Sequence, residues 1–335
     1  MRRVVLLLVS MLVFVSTSAQ LRFDERGELK IVQFTDAHLR QDREDQAQKT
    51  LERLRWIIEL ERPDVVVFTG DVVSYKHAAL AWRKVLDTVA REGVSFVVLL
   101  GNHDLEFDLT AEDIATIVTS YPGSLNSASQ GVLDDMAIEV LSSDGERVAA
   151  LLYCLDSNDY SIIDGVKGYG WIEHEQIAWY RDISSRYRAI NGGEPLPSYA
   201  FFHIPLPEYG EAVALGQSKL YGLRREKECA PELNSGMFHS MLEMGDVVAT
   251  FVGHDHDNNY AIAHHGIALV YGHFSGDDTV YNNLYSGVRV IRLYEGERDF
   301  ETWVRDYRRN HRGEYRDHLR FNARKGRFVE VSEHK

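Results

Sequence analysis

Residues 98–106 read VLLGNHDLE, and this stretch raises the question that decides the fold. An apolar run typical of a buried β-strand stops at Gly101 and is followed directly by Asn102, His103 and Asp104. An amide, an imidazole and a carboxylate can bind a metal or move a proton. The stretch is therefore either a polar turn or a reaction site at the end of a sheet.

The same arrangement recurs after four other strand-like runs. In chain order, IVQF precedes Thr35-Asp36-Ala37-His38, DVVVF precedes Thr69-Gly70-Asp71, YAFF precedes His203-Ile204-Pro205, and VVATFV precedes Gly253-His254-Asp255-His256. Ligands of open α/β sheets lie beyond the carboxyl ends of the strands. A lone Gly-Asp after a strand is usually a helix cap, but the ordered set of five clusters is highly specific.

Strand and helix patterns alternate along the first hundred residues. Strands are predicted at 29–34, 64–68 and 94–100, with helices ending near Pro63 and spanning 78–92, which is the pattern of a parallel sheet. Further strands are predicted at 137–141, 147–153, 198–203 and 247–252, helices at 171–187 and 235–244, and antiparallel strands between 260 and 304. No linker divides the chain, so we predict one large α/β domain over residues 20–304.

The two ends of the chain lie outside that predicted domain. Residues 1–19 have a basic start at Arg2 and Arg3, the apolar run 4–15 and a small-residue cleavage site, which indicates a signal peptide. The apolar run is shorter than the ~20 residues of a spanning helix. We therefore expect an exported protein, periplasmic or secreted. Residues 305–335 are predicted to form a basic C-terminal extension, either an arm that steers anions or an ordinary solvated face.

Composition limits the partners. Acidic residues number 51 against 37 Lys and Arg, a formal net charge of −14. Such a chain repels nucleic-acid backbones, so we expect no nucleic acid polymer as a partner, and we also expect no membrane span. Of the two cysteines, Cys154 lies in the strand-like run VAALLYCL, which favours a buried free thiol over a pairing with Cys229.

With these motifs, the sequence resembles the calcineurin-like metallophosphoesterase superfamily from about Leu29 to about Leu293. The resemblance implies a four-layer αββα sandwich of two mixed β-sheets flanked by helices. It also implies two metal ions, divalent or mixed-valence, held by seven side chains. Asp36, His38 and His256 are expected on the first metal, Asn102, His203 and His254 on the second, and Asp71 between them. The resemblance further implies that His103 faces the substrate and that Asp104 orients the imidazole of His103.

The chemistry of these side chains suits the implied roles. An ionised carboxylate such as Asp71 has two oxygens that can serve two cations about 3.5–4 Å apart. The neutral amide of Asn102 leaves the site positive enough to attract a phosphate. Oxygen and imidazole ligands without a thiolate fit Mn, Fe or Zn. An imidazolium at His103 could protonate the leaving group.

A narrower resemblance is carried by GYGWIEHEQIAWY (168–180), FFHIPLPEY (201–209), CAPELNSGMF (229–238) and FVGHDHDNNY (251–260), which are similar to the purple-acid-phosphatase-like branch. True purple acid phosphatases have glycine in place of His38 and tyrosine in place of Ser74, whereas here Tyr75 comes one position later. This departure counts against a tyrosinate–iron charge-transfer site.

The sequence therefore predicts a phosphoric monoester hydrolase that acts through a metal-activated hydroxide. Its substrate would be a phosphorylated small molecule or a phosphoprotein. One alternative is a phosphodiesterase of the same fold acting on nucleotides or phospholipid headgroups. Another is a non-catalytic phosphate-binding relative, against which the presence of all seven ligands and His103 argues. The oligomeric state is left open.

Overall fold

The computed structural model describes residues 20–277, 280–307 and 314–331, so the expected signal peptide at 1–19 lies outside the described residues. The strands are β1 Leu21–Arg22, β2 Glu28–Phe34, β3 Val65–Thr69, β4 Ser95–Leu99, β5 Ala128–Ser129, β6 Val132–Leu133, β7 Met136–Leu141, β8 Val148–Cys154, β9 Ser198–Phe201, β10 Val247–Val252, β11 Ala261–His264, β12 Ile267–Tyr271, β13 Gly287–Tyr294, β14 Phe300–Asp306, β15 Glu314–Asn322 and β16 Arg327–Glu330. The helices are α1 Glu44–Glu61, α2 Ala78–Arg91, α3 Ala111–Thr119, α4 His174–Ile190, α5 Glu208–Leu215 and α6 Met237–Met244.

These strands form two large mixed sheets and one small hairpin. One sheet has the order β1-β7-β8-β9-β10-β12-β11, and the other has the order β16-β15-β14-β13-β2-β3-β4. The strands β2, β3 and β4 are parallel, β13 is antiparallel to β2, and β14 is antiparallel to β13. The predicted parallel start and antiparallel end of the domain are both confirmed.

The apolar runs explain the layering, because successive residues of a strand point to opposite faces. In β3, Val65 and Val67 lie in the core between the two sheets, together with Phe251 of the other sheet. Val66 and Phe68 point the other way, into the core beneath α1, α2 and α3. Helices α4, α5 and α6 cover the outer face of the sheet that contains β8, β9 and β10. The predicted four-layer αββα sandwich is therefore confirmed.

The ends of both sheets meet at one edge of the sandwich. Beyond β2, both carboxylate oxygens of Asp36 accept from the backbone N–H of His254, which follows β10, at 3.1 Å. Beyond β9, the Nδ1 atom of His203 lies 2.7 Å from the carbonyl oxygen of Thr69, the last residue of β3. The polar clusters of the sequence therefore converge from both sheets on one place.

The C-terminal residues correct the predicted domain boundary. The expected start of a basic extension at residue 305 falls inside β14, and β15 and β16 continue the same sheet. Leu319, Phe321 and Phe328 are buried in the core between the sheets. The basic side chain of Arg320 lies 2.6 Å from Glu297 on the outside. In β15, the apolar residues Leu319 and Phe321 face the core and the charged Arg320 alternates with them on the other face. The prediction of a separate C-terminal extension from residue 305 was therefore wrong.

Two other sequence questions are answered by the described residues. Cys154 is buried and Cys229 is half-buried, and both are free thiols. Among the described helices, none combines the length and the apolar character needed to cross a membrane.

We predict that Phe321→Ala lowers the free energy of unfolding by about 3–5 kcal/mol, because it empties part of the core between the sheets. Val329→Ala is the matched control, since Val329 is 40% exposed in the neighbouring strand, and it should cost less than about 1 kcal/mol. Urea unfolding measures both. Equal small losses would show that the C-terminal strands do not belong to the cooperative fold.

Candidate metal centre

The loops after the strands hold their polar residues in an unusual backbone conformation. Asp36, His38, Asp71 and His254 have φ angles of 53°, 42°, 52° and 75°. Positive φ is uncommon outside glycine, and it costs of order 1–3 kcal/mol per residue. Four of the seven predicted ligands share this strain, which aims their side chains into one space.

Glycines next to these residues allow the loops to approach one another. A Cβ atom on Gly101 would collide with the backbone nitrogen and the carboxylate of Asp71. A Cβ atom on Gly253 would collide with the hydroxyl of Thr35 and with the Asp36 carboxylate. The glycines of the Gly-Asn-His and Gly-His-Asp-His motifs are thus required by backbone-to-side-chain contact across loops.

One group of possible metal ligands comprises Asp36, His38, Asp71 and His256, whose ligand atoms all lie within 4.8 Å of one another. The Nε2 atoms of His38 and His256 are 3.0 Å apart. The Nε2 atom of His38 lies 3.7 Å from Asp71 Oδ2, and that of His256 lies 3.6 Å from Asp36 Oδ1. All four side chains are buried.

A second group comprises Asp71, His203 and His254. The Nε2 atom of His203 lies 3.2 Å from Asp71 Oδ2 and 3.3 Å from His254 Nδ1. Asp71 Oδ1 instead accepts from the backbone N–H of His103 at 2.8 Å. The Oδ2 atom of Asp71 is therefore the oxygen that both groups share, and the expectation of one oxygen for each cation is corrected because Oδ1 is occupied by the backbone.

Two of the imidazoles are oriented by backbone carbonyls. Because a carbonyl oxygen only accepts, the Nδ1 atom of His203 must donate to Thr69, and the Nδ1 atom of His256 must donate to the Tyr281 carbonyl at 2.8 Å. In the neutral ring, each Nε2 atom then has a lone pair directed at the centre, and a cation there would take the place of any Nε2 proton. This outer hydrogen bond is the usual way in which proteins orient metal-binding histidines.

The remaining predicted ligand, Asn102, supplies an independent test of fit. Its side chain is 1% exposed, and its amide nitrogen donates to the Tyr160 hydroxyl at 3.2 Å. Its amide oxygen, although buried, has no hydrogen-bond partner among the described residues. A buried acceptor without a partner is costly, and a cation would satisfy it. The residues present therefore fit a metal centre.

The electrostatics of the cluster also favour added positive charge. Burial raises the pKa of Asp36, whereas His203 and His38 hold the pKa of Asp71 well below its usual range although burial opposes this. Burial also opposes the charged form of His203, but the Asp71 carboxylate outweighs it and raises the pKa of His203 to about 10. Burial lowers the pKa of His254, which keeps it neutral, as a metal ligand must be.

The predicted role of Asp104 is wrong. Its carboxylate accepts from the backbone N–H groups of Asp71, Val72, Val73 and Gly101 at 2.8, 2.9, 3.0 and 2.9 Å. Its carboxylate makes no hydrogen bond with the imidazole of His103, which pairs with another residue. Asp104 instead ties the loop that carries Asp71 to the loop that carries Asn102. With both oxygens occupied by amides, it cannot orient a neighbouring ring.

The partner of His103 is Glu106, which the sequence prediction missed. The Nδ1 atom of His103 lies 2.7 Å from Glu106 Oε2. The imidazole of His103 lies beside that of His38, with ring centroids 5.4 Å apart. The signal that could have revealed the pair is the three-residue spacing of two complementary side chains within the quoted stretch.

Aromatic side chains line the centre on two sides. The ring of Tyr169 packs edge-on against that of His254, with ring centroids 4.3 Å apart. The ring of Tyr281 stacks on that of His256, with ring centroids 4.4 Å apart. Tyr169 belongs to the quoted stretch 168–180, and its contact with His254 places it at the centre. Tyr281 was not singled out by the sequence.

A four-layer αββα sandwich with clustered carboxylate and imidazole donors at the strand ends is the fold of the metallophosphoesterases. The family profile described as calcineurin-like phosphoesterase matches residues 29–258. The chain belongs to this family.

Its sequence relatives include plant and yeast proteins. It is 31% identical to a protein named "Probable inactive purple acid phosphatase 29" from Arabidopsis thaliana, over 76% of this chain and 73% of that protein. It is 30% identical to "Phosphatase DCR2" from Saccharomyces cerevisiae, over 87% of this chain and 56% of that protein.

Solved structures show the same fold at low sequence identity. A dimetal phosphatase from Danio rerio superposes with a TM-score of 0.59 and 13% identity, covering 83% of this chain and 96% of that one. The purple acid phosphatase PPD1 from yellow lupin superposes with a TM-score of 0.53 and 13% identity, covering 88% of this chain and 53% of that one.

We predict that Asp104→Asn destabilises the fold, because an amide can accept from the backbone with one atom only and leaves at least two buried N–H groups unpaired. At about 1–3 kcal/mol per group, the loss should reach about 2–6 kcal/mol, measured by urea unfolding. Asp182→Asn, at an exposed position of α4, is the control and should be neutral. A stable Asp104→Asn protein with slowed turnover would restore the orienting role.

Proposed function

We propose that this protein is a binuclear-metal phosphohydrolase that cleaves phosphate monoesters. The observation that carries the proposal is the shared oxygen of Asp71, which lies within reach of two separate groups of donors. A site built for two cations around one carboxylate is typical of enzymes that displace a group at phosphorus. The name of the yeast relative, a phosphatase, supports the same chemistry.

The proposal gives each buried donor a task. Asp36, His38 and His256 would hold one cation, Asn102, His203 and His254 the other, and Asp71 both. When bound, the two cations supply Lewis-acid polarisation of the phosphoryl group and activation of a water nucleophile. Mn, Fe or Zn suits this set of oxygen and imidazole donors.

His103 is assigned the proton transfer to the leaving group. It follows Asn102 directly, yet it belongs to neither group of possible metal ligands. Its imidazole is half-buried, so it is open to a bound substrate. Its backbone N–H donates to Asp71, which fixes the position of the residue independently of its ring.

Substrate and location are part of the proposal. The acidic net charge of −14 favours small phosphorylated molecules or phosphoproteins over nucleic acid polymers. The pattern of residues 1–19 supports export to the periplasm or the exterior.

The first test is hydrolysis of a monoester and a diester by the purified protein supplied with Mn or Zn. We expect turnover of p-nitrophenyl phosphate to exceed that of bis-p-nitrophenyl phosphate, and we expect Asp71→Asn to lose both the activity and the bound metal. Preference for the diester would support a phosphodiesterase. Full metal content without turnover of either would support a non-catalytic relative, as the name of the Arabidopsis protein suggests for that protein.

The second test concerns His103. His103→Ala keeps the backbone N–H that contacts Asp71, so we expect the metal content to stay unchanged. Turnover should fall by about 10²–10⁴-fold for an alkyl phosphate, and less for p-nitrophenyl phosphate, whose leaving group needs little protonation. His174→Ala, at an exposed position of α4, is the control. Equal losses for both substrates would contradict the acid role.

A further inference from the structure

A chain of hydrogen bonds runs from His103 through Glu106 to Tyr160, on the opposite side of the site, and returns to Asn102. The Nδ1 atom of His103 lies 2.7 Å from Glu106 Oε2, and the other oxygen of Glu106 accepts from the Tyr160 hydroxyl at 2.7 Å. The Tyr160 oxygen in turn accepts from the Asn102 amide at 3.2 Å. The chain begins and ends on neighbouring residues of the loop after β4.

The two oxygens of Glu106 thus have different partners. Tyr160 has only one hydroxyl proton, which it directs to Oε1 while its own lone pair receives the N–H of Asn102. This arrangement leaves Oε2 as an acceptor for the ring of His103. The carboxylate is therefore held in place before it contacts the imidazole.

The position of Tyr160 is itself determined by packing. It follows β8 of one sheet, whereas Glu106 follows β4 of the other. Its ring stacks on Tyr169 with centroids 5.8 Å apart, and Tyr169 packs against His254. The support of Glu106 therefore comes from across the site and from a different sheet.

The contact selects one form of the His103 ring. An ionised carboxylate only accepts, so Nδ1 carries a hydrogen in both the neutral and the protonated ring, and Nε2, which makes no hydrogen bond with any described residue, is the atom that takes up and releases the transferred proton. The side chains of His103 and Glu106 are 38% and 33% exposed, so solvent weakens their attraction. The effect of the contact is therefore one of orientation and tautomer more than of stability.

We propose that Glu106, held by Tyr160, is the positioning residue of His103, the role for which the sequence pointed to Asp104. This inference rests on the proposed function for its catalytic consequence, but the geometry it asserts can be measured without turnover. Glu106 directs the Nε2 atom of His103 outward, to the place where a leaving-group oxygen would be protonated.

The direct test is the tautomer of the neutral His103 ring in the zinc-loaded protein, read from the nitrogen and Cδ2 chemical shifts of labelled histidine. The His103→Ala spectrum assigns the signal. We expect the Nδ1–H form in the unmodified protein. Glu106→Ala should shift the ring toward the Nε2–H form. The same tautomer in the unmodified protein and in Glu106→Ala would overturn the proposal.

The kinetic test uses a double-mutant cycle. Glu106→Ala should lower kcat for an alkyl phosphate by about 10–100-fold, as loss of an orienting partner does elsewhere, with little change in KM or metal content. Tyr160→Phe should cause a smaller loss, and Glu175→Ala, at an exposed position of α4, none.

The cycle decides whether Glu106 acts through His103. In the His103→Ala background, Glu106→Ala should add no further loss, and an undiminished second loss would overturn the proposal. If the unmodified metal-loaded protein hydrolyses no phosphoester, the proposed function fails, and the tautomer measurement still decides the role of Glu106.

Discussion

The shared oxygen of Asp71 is the contact on which the rest of the site depends. A carboxylate with almost no exposure to solvent is costly to bury unless positive charge or hydrogen-bond donors surround it. Here one oxygen receives the backbone N–H of His103, and the other faces imidazoles from both groups of donors. Removing that carboxylate would leave the histidines of both donor groups without the acceptor that they share.

The two-sheet sandwich is what makes this arrangement possible. Asp36, Asp71 and Asn102 follow parallel strands of one sheet, whereas His203 and His254 follow strands of the other. Each side chain therefore stands on a rigid strand end. The final orientation of the side chains is set locally, by positive φ angles and by glycines that allow close contact between the loops. Asp104 completes the frame by accepting four backbone N–H groups from two loops.

The sequence predicted those features that are written in short-range patterns. The strands β3, β4 and β10 are predominantly apolar because both faces are buried, and the motifs after them and after β2 identify candidate ligands that the structure brings together. Helix α3 was missed although Thr110 and Asp113 form a capping box, because its apolar stripe is short. The strand β15 was missed because its charged residues dominate the composition. The partner of Asp104 could not be predicted, since backbone N–H groups carry no sequence signature, and adjacency to His103 favoured the wrong contact.

The most direct measurement of the central claim is anomalous X-ray scattering from crystals grown with Mn or Zn. The account predicts two peaks of comparable height, one within bonding distance of Asp36, His38 and His256, the other of Asn102, His203 and His254, with Asp71 Oδ2 contacting both. A single peak, or none near Asp71, would contradict a two-metal centre in this protein.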